Sequence, residues 1–192
     1  MITYDFKKTT MKKKNTFCLR MMPFLLMGLF LSISGFSQNS EDRELIKESE
    51  EARAQFVKTD SLMQSLFDHS YGYVIFPNIG KGAIGIGGAA GNGIVFEKGS
   101  PVGSAKMKQV SIGFQFGGQT YREVIFFESQ AALDRFKQEK FEFAAQASAV
   151  AVTAGASTNV KYRDGVMVFT QEKKGLMYEA SIGGQKFGYT AF

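Results

Sequence analysis

Residues 72–93 constrain what this chain can fold into more than any other stretch. They hold seven glycines within fourteen positions, after a short apolar run at 73–76 that is followed by Pro77. A residue without a Cβ lets the backbone adopt positive φ and lets another backbone or a ligand approach closely. We therefore expect this segment either to pack tightly against the rest of the fold or to form part of a binding site.

The glycines at first suggest a phosphate-binding loop, but their context does not fit one. A dinucleotide fingerprint needs a strand, then the glycines, then a helix whose N-terminus faces the pyrophosphate. Here the Gly-Asn-Gly sequence at 91–93 is a strong hairpin signal, and apolar residues follow at 94–96. A Walker loop needs Ser or Thr after its lysine, whereas Gly82 follows Lys81. The segment is predicted to be two strands joined by a turn at 91–93, without a nucleotide.

The N-terminal 37 residues have the pattern of a secretory signal. Basic residues precede an apolar segment at 24–33, which is too short to span a bilayer stably. Gly35 and Ser37 are small residues at the −3 and −1 positions of a cleavage site. We expect cleavage between Ser37 and Gln38, export to the periplasm or the medium, and a mature domain at 38–192. A signal anchor that stays attached is the alternative.

Removal of residues 1–37 changes the global charge. This segment carries six of the 23 Lys and Arg and one of the 18 Asp and Glu, so 17 of each remain. The excess of positive charge therefore belongs to the signal and does not support nucleic-acid binding. The only cysteine, Cys18, is lost as well, so we expect no disulfide and no cysteine ligand. The lysines at 12–14 also fit a start at Met11 instead of Met1.

The rest of the chain predicts an α+β fold. Apolar residues at helical spacing predict two helices within 40–70, with a break at 59–61 where Thr-Asp-Ser offers a new N-cap. The first helix is acidic, which favours packing on a sheet over a cationic membrane-surface helix. A third helix is predicted to begin after Ser129. Strands are predicted at 73–76, 83–90, 94–96, 104–117, 121–127, 141–153, 165–171, 176–182 and 185–189.

These elements predict a mostly antiparallel, curled or barrel-like β-sheet with an N-terminal helical arm and one inserted helix. On the strand at 104–117, Val110 and Ile112 are expected to face the same apolar side as Phe114 and Phe116. The opposite side would carry Ser111 and the small residues beside it.

Signals of catalysis and of metal binding are weak. His69 is the only histidine, and without cysteine it has no zinc-site spacing; no G-x-S-x-G motif accompanies it. At a helix end, His69 is expected to cap the helix or to face solvent. Glu123, Glu142 and Glu179 are isolated acids on predicted strands. We expect no catalytic residues, no metal and no cofactor.

Strand faces lined with small residues leave space for a packed helix or for an apolar ligand such as an acyl chain. Basic side chains on the same strands could meet a phosphate or carboxylate head group, with a solvated strand edge as the alternative for each. Lys108 is one such residue. The candidate lipid-binding residues are Lys81, Gly82, Gly85, Gly87, Gly88, Lys106 and Arg122.

Residues 72–93 resemble the opening of the SYLF lipid-binding domain, through G-Y-x-I-F-P, then K-G, then G-x-G-G-x-x-G-x-G. The similarity continues through G-F-Q-F-G-G at 113–118 and covers about residues 45–190. It implies a non-enzymatic module. Eukaryotic members are associated with phosphoinositide membranes and actin, and bacterial members are commonly exported single-domain proteins. Because the N-terminal arm is acidic here, we carry over only lipid or membrane binding, with another envelope protein as the alternative partner.

Overall fold

The structure is a computed structural model that describes residues 40–84, 86–112, 119–139, 141–143, 148–174 and 180–192. The predicted signal and its cleavage site lie outside these ranges, as do Gly85, Glu179 and the G-F-Q-F-G-G segment. None of the helices in the described ranges combines the length and the apolar character needed to cross a membrane.

The two predicted N-terminal helices are present as α1 (Ser40–Thr59) and α2 (Met63–His69). Asp60 separates them, as the Thr-Asp-Ser sequence predicted. Its carboxylate accepts hydrogen bonds from the Leu62 N–H at 3.1 Å and from the Ser157 N–H and Oγ at 2.9 and 2.7 Å. Burial by itself would raise the pKa of Asp60, but these hydrogen bonds lower it on balance. The segment between the two helices is thereby attached to the short 3₁₀ helix Ala156–Asn159, in which Ser157 lies 97 residues further along the chain.

The described ranges contain eight strands: β1 (Gly72–Ile84), β2 (Ile86–Glu97), β3 (Ser100–Ile112), β4 (Gln119–Phe127), β5 (Ser148–Ala151), β6 (Val166–Lys174), β7 (Ala180–Ser181) and β8 (Gln185–Ala191). They form a mostly antiparallel sheet that is not closed, in the order β7-β5-β6-β4-β1-β2-β3-β8. Within the described ranges only β5 and β6 pair in parallel. The predicted α+β class is confirmed.

The prediction of a hairpin turn at 91–93 is wrong. Strand β1 continues past Pro77, and Ile84 pairs with Ile86, so the chain reverses between those two residues. Strand β2 then runs without interruption through the Gly-Asn-Gly sequence. Proline is tolerated within β1 because the register shifts between Ile75 and Asn78, and a bulge relieves the need for a regular ladder hydrogen bond.

The glycines at 91 and 93 allow close packing against this bulge. A Cβ at Gly93 would lie 2.5 Å from the Ile75 carbonyl oxygen and 2.7 Å from Cδ1 of Phe76. A Cβ at Gly91 would lie 2.9 Å from the Asn78 carbonyl oxygen. These two glycines leave room for the displaced backbone of β1 instead of forming a turn.

Each face of the sheet packs against helix. The inserted helix α3 (Gln130–Lys137) is capped as predicted by Ser129, whose hydroxyl accepts from the Ala132 N–H at 3.4 Å. Its buried residues include Leu133 and Phe136 and join one core cluster, which includes Val74, Phe76, Val95, Met107, Ile125 and Phe187. Helices α1 and α2 join a second cluster on the other face, which includes Phe56, Phe67, Tyr73, Ile75, Ile94, Phe126 and Phe169.

Contacts between strands that are distant in the sheet order show that the sheet is curled. Three strands separate β4 from β8, yet Gln185 Nε2 of β8 donates to Glu123 Oε2 of β4 at 3.1 Å. The rings of Phe76 in β1 and Phe187 in β8 also approach within 5.9 Å between centroids. The cluster that contains α3 therefore lies inside the curl.

The prediction that Val110 lies on the apolar, core-facing side of β3 is wrong, because its side chain is 72% exposed. The inward positions are instead Ala105, Met107 and Gln109. The buried Gln109 donates from Nε2 to the Gly183 carbonyl oxygen at 2.9 Å. Of the strands predicted at 141–153 and 176–182, the described ranges contain the short β5 and β7.

Candidate functional site

Two neighbouring cavities open on the face of the sheet that carries α1, and Asn78 lines both. We call them the lysine cavity and the arginine cavity. The lysine cavity, of about 360 Å³, is lined by Asn78, Ala90, Gly91, Asn92, Lys106, Met107 and Lys108. The arginine cavity, of about 400 Å³, is lined by Glu48, Glu51, Ala52, Ala54, Gln55, Pro77, Asn78, Arg122 and Lys173.

The lysine cavity follows from the pairing of β2 with β3. Asn92 lies opposite Lys106 and Ala90 lies opposite Lys108, so small or short side chains of β2 stand beside both lysines. Both lysines are exposed, and neither forms an ion pair within the described part of the chain. Their positive charge is therefore available to an anionic group from solvent.

Strand β8 adds a further cation to this face. Lys186 lies directly opposite Lys108 in the β3–β8 pairing. Like charges on directly opposed residues repel, and Glu142 lies 3.9 Å from the Lys186 ammonium at an exposed position. An anion bound between β2 and β3 would also reduce this repulsion.

The arginine cavity forms where α1 crosses the bulge of β1. The Arg122 guanidinium is half-buried and donates from Nη1 to Gln171 Oε1 at 2.7 Å. Its Nε is buried, and the described residues provide no hydrogen-bond partner for it. Burial lowers the pKa of Arg122 from its usual value. A buried N–H donor without a partner is costly, whereas the rest of the guanidinium keeps its positive charge beside the cavity.

Asn78 connects the two sides of the arginine cavity. The Lys173 ammonium donates to Asn78 Oδ1, and Asn78 Nδ2 donates to Glu48 Oε2 at 3.0 Å. Cationic side chains thus come from the sheet, and carboxylates come from α1. Lys173, Asn78, Glu48 and Glu51 were not among the sequence candidates, because nothing local in the sequence encodes where α1 crosses β1.

The sequence candidates are divided among different places. Lys106 lines the lysine cavity and Arg122 lines the arginine cavity. Lys81 lies opposite Ala89 in the pairing of β1 with β2, and Gly82 lies opposite Gly88. Gly87, also in β2, is buried, and the described lining of the two cavities includes neither Gly87 nor Gly88. Gly85 and the Lys81 side chain fall outside what the structure describes.

The other titratable candidates lie apart from both cavities. Glu123 is fully buried inside the curl, and burial raises its pKa to about 7 although the hydrogen bond from Gln185 opposes the shift. His69 is exposed at the end of α2, where its Nδ1 lies 2.8 Å from the Ser65 carbonyl oxygen. No three His, Cys, Asp or Glu residues of the described ranges cluster closely enough to hold a metal ion.

Two comparisons with known proteins support the resemblance drawn from the sequence. The Ysc84 family, described as Las17-binding protein actin regulator, matches residues 108–189. "Beta cell expansion factor A" of Aeromonas veronii is 31% identical over 123 residues, which is 64% of this chain. The match covers 47% of that protein, so the chain spans about half the length of this relative. The family match includes Lys108, Arg122 and Lys173 and begins just after Lys106.

Proposed function

Since the Ysc84 (SYLF) family model matches residues 108–189, we propose that the protein is an exported, non-enzymatic module that binds a lipid or a membrane surface. Binding uses the glycine-rich strands and the basic residues beside them. The observation that carries the proposal is the lysine cavity, in which Lys106 and Lys108 stand exposed beside small side chains of β2.

The charges around this cavity suit an anionic surface. Each lysine or arginine near an anionic membrane contributes about 1 kcal/mol of attraction, and the attraction falls with ionic strength. Lys106, Lys108 and Lys186 lie side by side on one face, which adds their contributions. The short side chains at Ala90 and Asn92 leave room for a head group to reach the lysines. Export is supported by the signal-like pattern of residues 1–37.

Flotation of residues 38–192 with lipid vesicles tests this function. We expect the protein to float with phosphatidylcholine vesicles that contain phosphatidylglycerol, and to be released progressively as salt is added. Mass spectrometry of the purified protein would show any lipid that is carried along. Failure to float with anionic or zwitterionic vesicles, together with no co-purified lipid, would overturn the proposal.

A protein-interaction or structural module of the cell envelope is the second candidate. Val110, an exposed apolar residue of β3 next to Lys108, favours it, as does the protein-binding description of the matched family. This function predicts a crosslink from position 110 to a specific protein in intact cells. A crosslink of that kind without vesicle binding would favour the second candidate over the first.

A further inference from the structure

The arginine cavity contains charges of both signs on opposite sides. Arg122 and Lys173 reach it from the sheet, and Glu48 and Glu51 reach it from α1. Within the described part of the chain, no carboxylate comes within ion-pair distance of Arg122. The carboxylates of α1 and the Arg122 guanidinium therefore lie on opposite sides of the cavity without forming a direct ion pair.

We propose that the arginine cavity binds a zwitterion in which a phosphodiester is joined to a primary ammonium, as in an ethanolamine head group. This inference rests on the proposed function and specifies a ligand for the face that meets the membrane. The oxyanion is bound by the positively charged guanidinium of Arg122 and by the Lys173 ammonium, which both belong to residues that line the cavity. The ammonium donates hydrogen bonds to the carboxylates of Glu48 and Glu51.

The balance of charge disfavours ligands that carry a charge of only one sign. An anion without an ammonium would be repelled by the two carboxylates, and a cation without an oxyanion would be repelled by Arg122 and Lys173. A quaternary ammonium has no N–H to donate, and its usual binding site is a cage of aromatic rings. The residues described as lining this cavity include no aromatic side chain, and Ala52, Ala54 and Pro77 supply its apolar surface. A primary ammonium is therefore the better fit.

A titration followed by NMR tests the proposal on residues 38–192, with the Arg122 side-chain Nε–Hε resonance as the reporter. The probes are glycerophosphoethanolamine, glycerophosphoglycerol and glycerophosphocholine, which share the phosphodiester and differ in the attached group. We expect the ethanolamine compound to bind about fivefold more tightly than either of the others, since only its primary ammonium can donate hydrogen bonds to the carboxylates of Glu48 and Glu51.

The double variant Glu48→Gln/Glu51→Gln should lose this preference while still shifting the Arg122 resonance. Glutamine keeps the size of each side chain and an acceptor for Asn78, so the fold should be preserved. The matched control Glu41→Gln/Glu44→Gln removes two carboxylates of the same helix outside the cavity and should keep the preference. No shift of the Arg122 resonance at millimolar probe, equal affinity for the three probes, or a preference that survives in the double variant would each overturn the proposal.

Vesicles distinguish a lipid head group from a free phosphodiester. Stronger flotation with phosphatidylethanolamine than with pure phosphatidylcholine would assign the head group to a lipid. Binding of the soluble probe without such flotation would assign the site to a free phosphodiester, and it would contradict the membrane function if anionic vesicles also failed. Flotation with anionic vesicles without discrimination among the soluble probes would overturn this inference alone.

Discussion

Glu123 is the residue whose environment departs most from what its sequence position predicted. The sequence identified it as an isolated acid on a strand, and the structure buries it completely with Gln185 as its hydrogen-bond partner. Its other oxygen, Oε1, has no partner among the described residues. Removal from water disfavours the carboxylate and raises the pKa of Glu123 to about 7, despite the bond from Gln185. The protein therefore carries a buried group that titrates near neutral pH.

Stability should consequently depend on pH through Glu123. Its pKa in the folded protein lies above the ordinary value of 4.5, so the folded state binds more protons than the unfolded state between these values. The free energy of unfolding should fall as pH rises from about 4.5 to about 7 and stay level above that, with a total loss of about 3 kcal/mol. Urea unfolding below and above this window measures the loss.

The variant Glu123→Gln removes the titrating group and keeps its shape, so its stability should change little across the same window. The exposed Glu128→Gln, near the end of β4, is the control and should keep the wild-type dependence. The same pH dependence in Glu123→Gln and in the wild type would show that Glu123 is not the group responsible.

The glycine-rich strand pair β1–β2 shows why an element can be mispredicted from its sequence. Gly-Asn-Gly is a strong turn signal because two of its residues tolerate positive φ. In the structure, Gly91 and Gly93 lack the side chains that would clash with the bulge in the neighbouring strand β1. This requirement comes from tertiary packing, which the local sequence does not reveal. Strand β1 is consequently 13 residues long and β2 is 12 residues long, where the sequence predicted shorter strands at 73–76, 83–90 and 94–96, and this length extends β2 alongside Lys106 and Lys108.

Substitution of Gly93 tests this account of the strand pair. Gly93→Ala places a methyl group 2.5 Å from the Ile75 carbonyl oxygen, so the strands must separate, and we expect a loss of about 1–3 kcal/mol. Gly80→Ala is the matched control, since no atom lies within 4 Å of its Cβ position. Thermal or urea unfolding should show little change or a small gain for Gly80→Ala. Equal stability of the two variants would contradict the packing role of Gly93.

At the scale of the whole molecule, local patterns predicted the element types, and tertiary contacts decided the site. The sequence predicted the two N-terminal helices with a break at Asp60, the helix cap at Ser129 and the mostly antiparallel sheet. It could do so because each of these features is encoded by residues close together in the chain. The sequence did not predict that Gln109 is buried and Val110 exposed, because these positions depend on a contact with Gly183 and on the curl of the sheet. Lys106 and Arg122 were identifiable as basic strand residues, whereas their cavity partners in α1 and β6 were not.

The arrangement of charge over the whole molecule supports its proposed role. Residues 38–192 have equal numbers of acidic and basic side chains, so attraction to an anionic membrane must come from their distribution. Lys106, Lys108 and Lys186 gather on one part of the sheet face, while α1 carries an excess of acids. We therefore expect the protein to bind membranes through this one face and not through its global charge.

The most direct test compares the vesicle affinity of two double variants of residues 38–192 that lose the same charge. Lys106→Ala/Lys108→Ala removes the exposed lysines of the lysine cavity, and Lys58→Ala/Lys161→Ala removes two exposed lysines elsewhere. On phosphatidylglycerol-containing vesicles we expect the first pair to weaken binding at least tenfold, from about 1 kcal/mol for each lysine, and the second pair to change it little. Equal affinities for the two variants would contradict membrane binding through the lysine cavity.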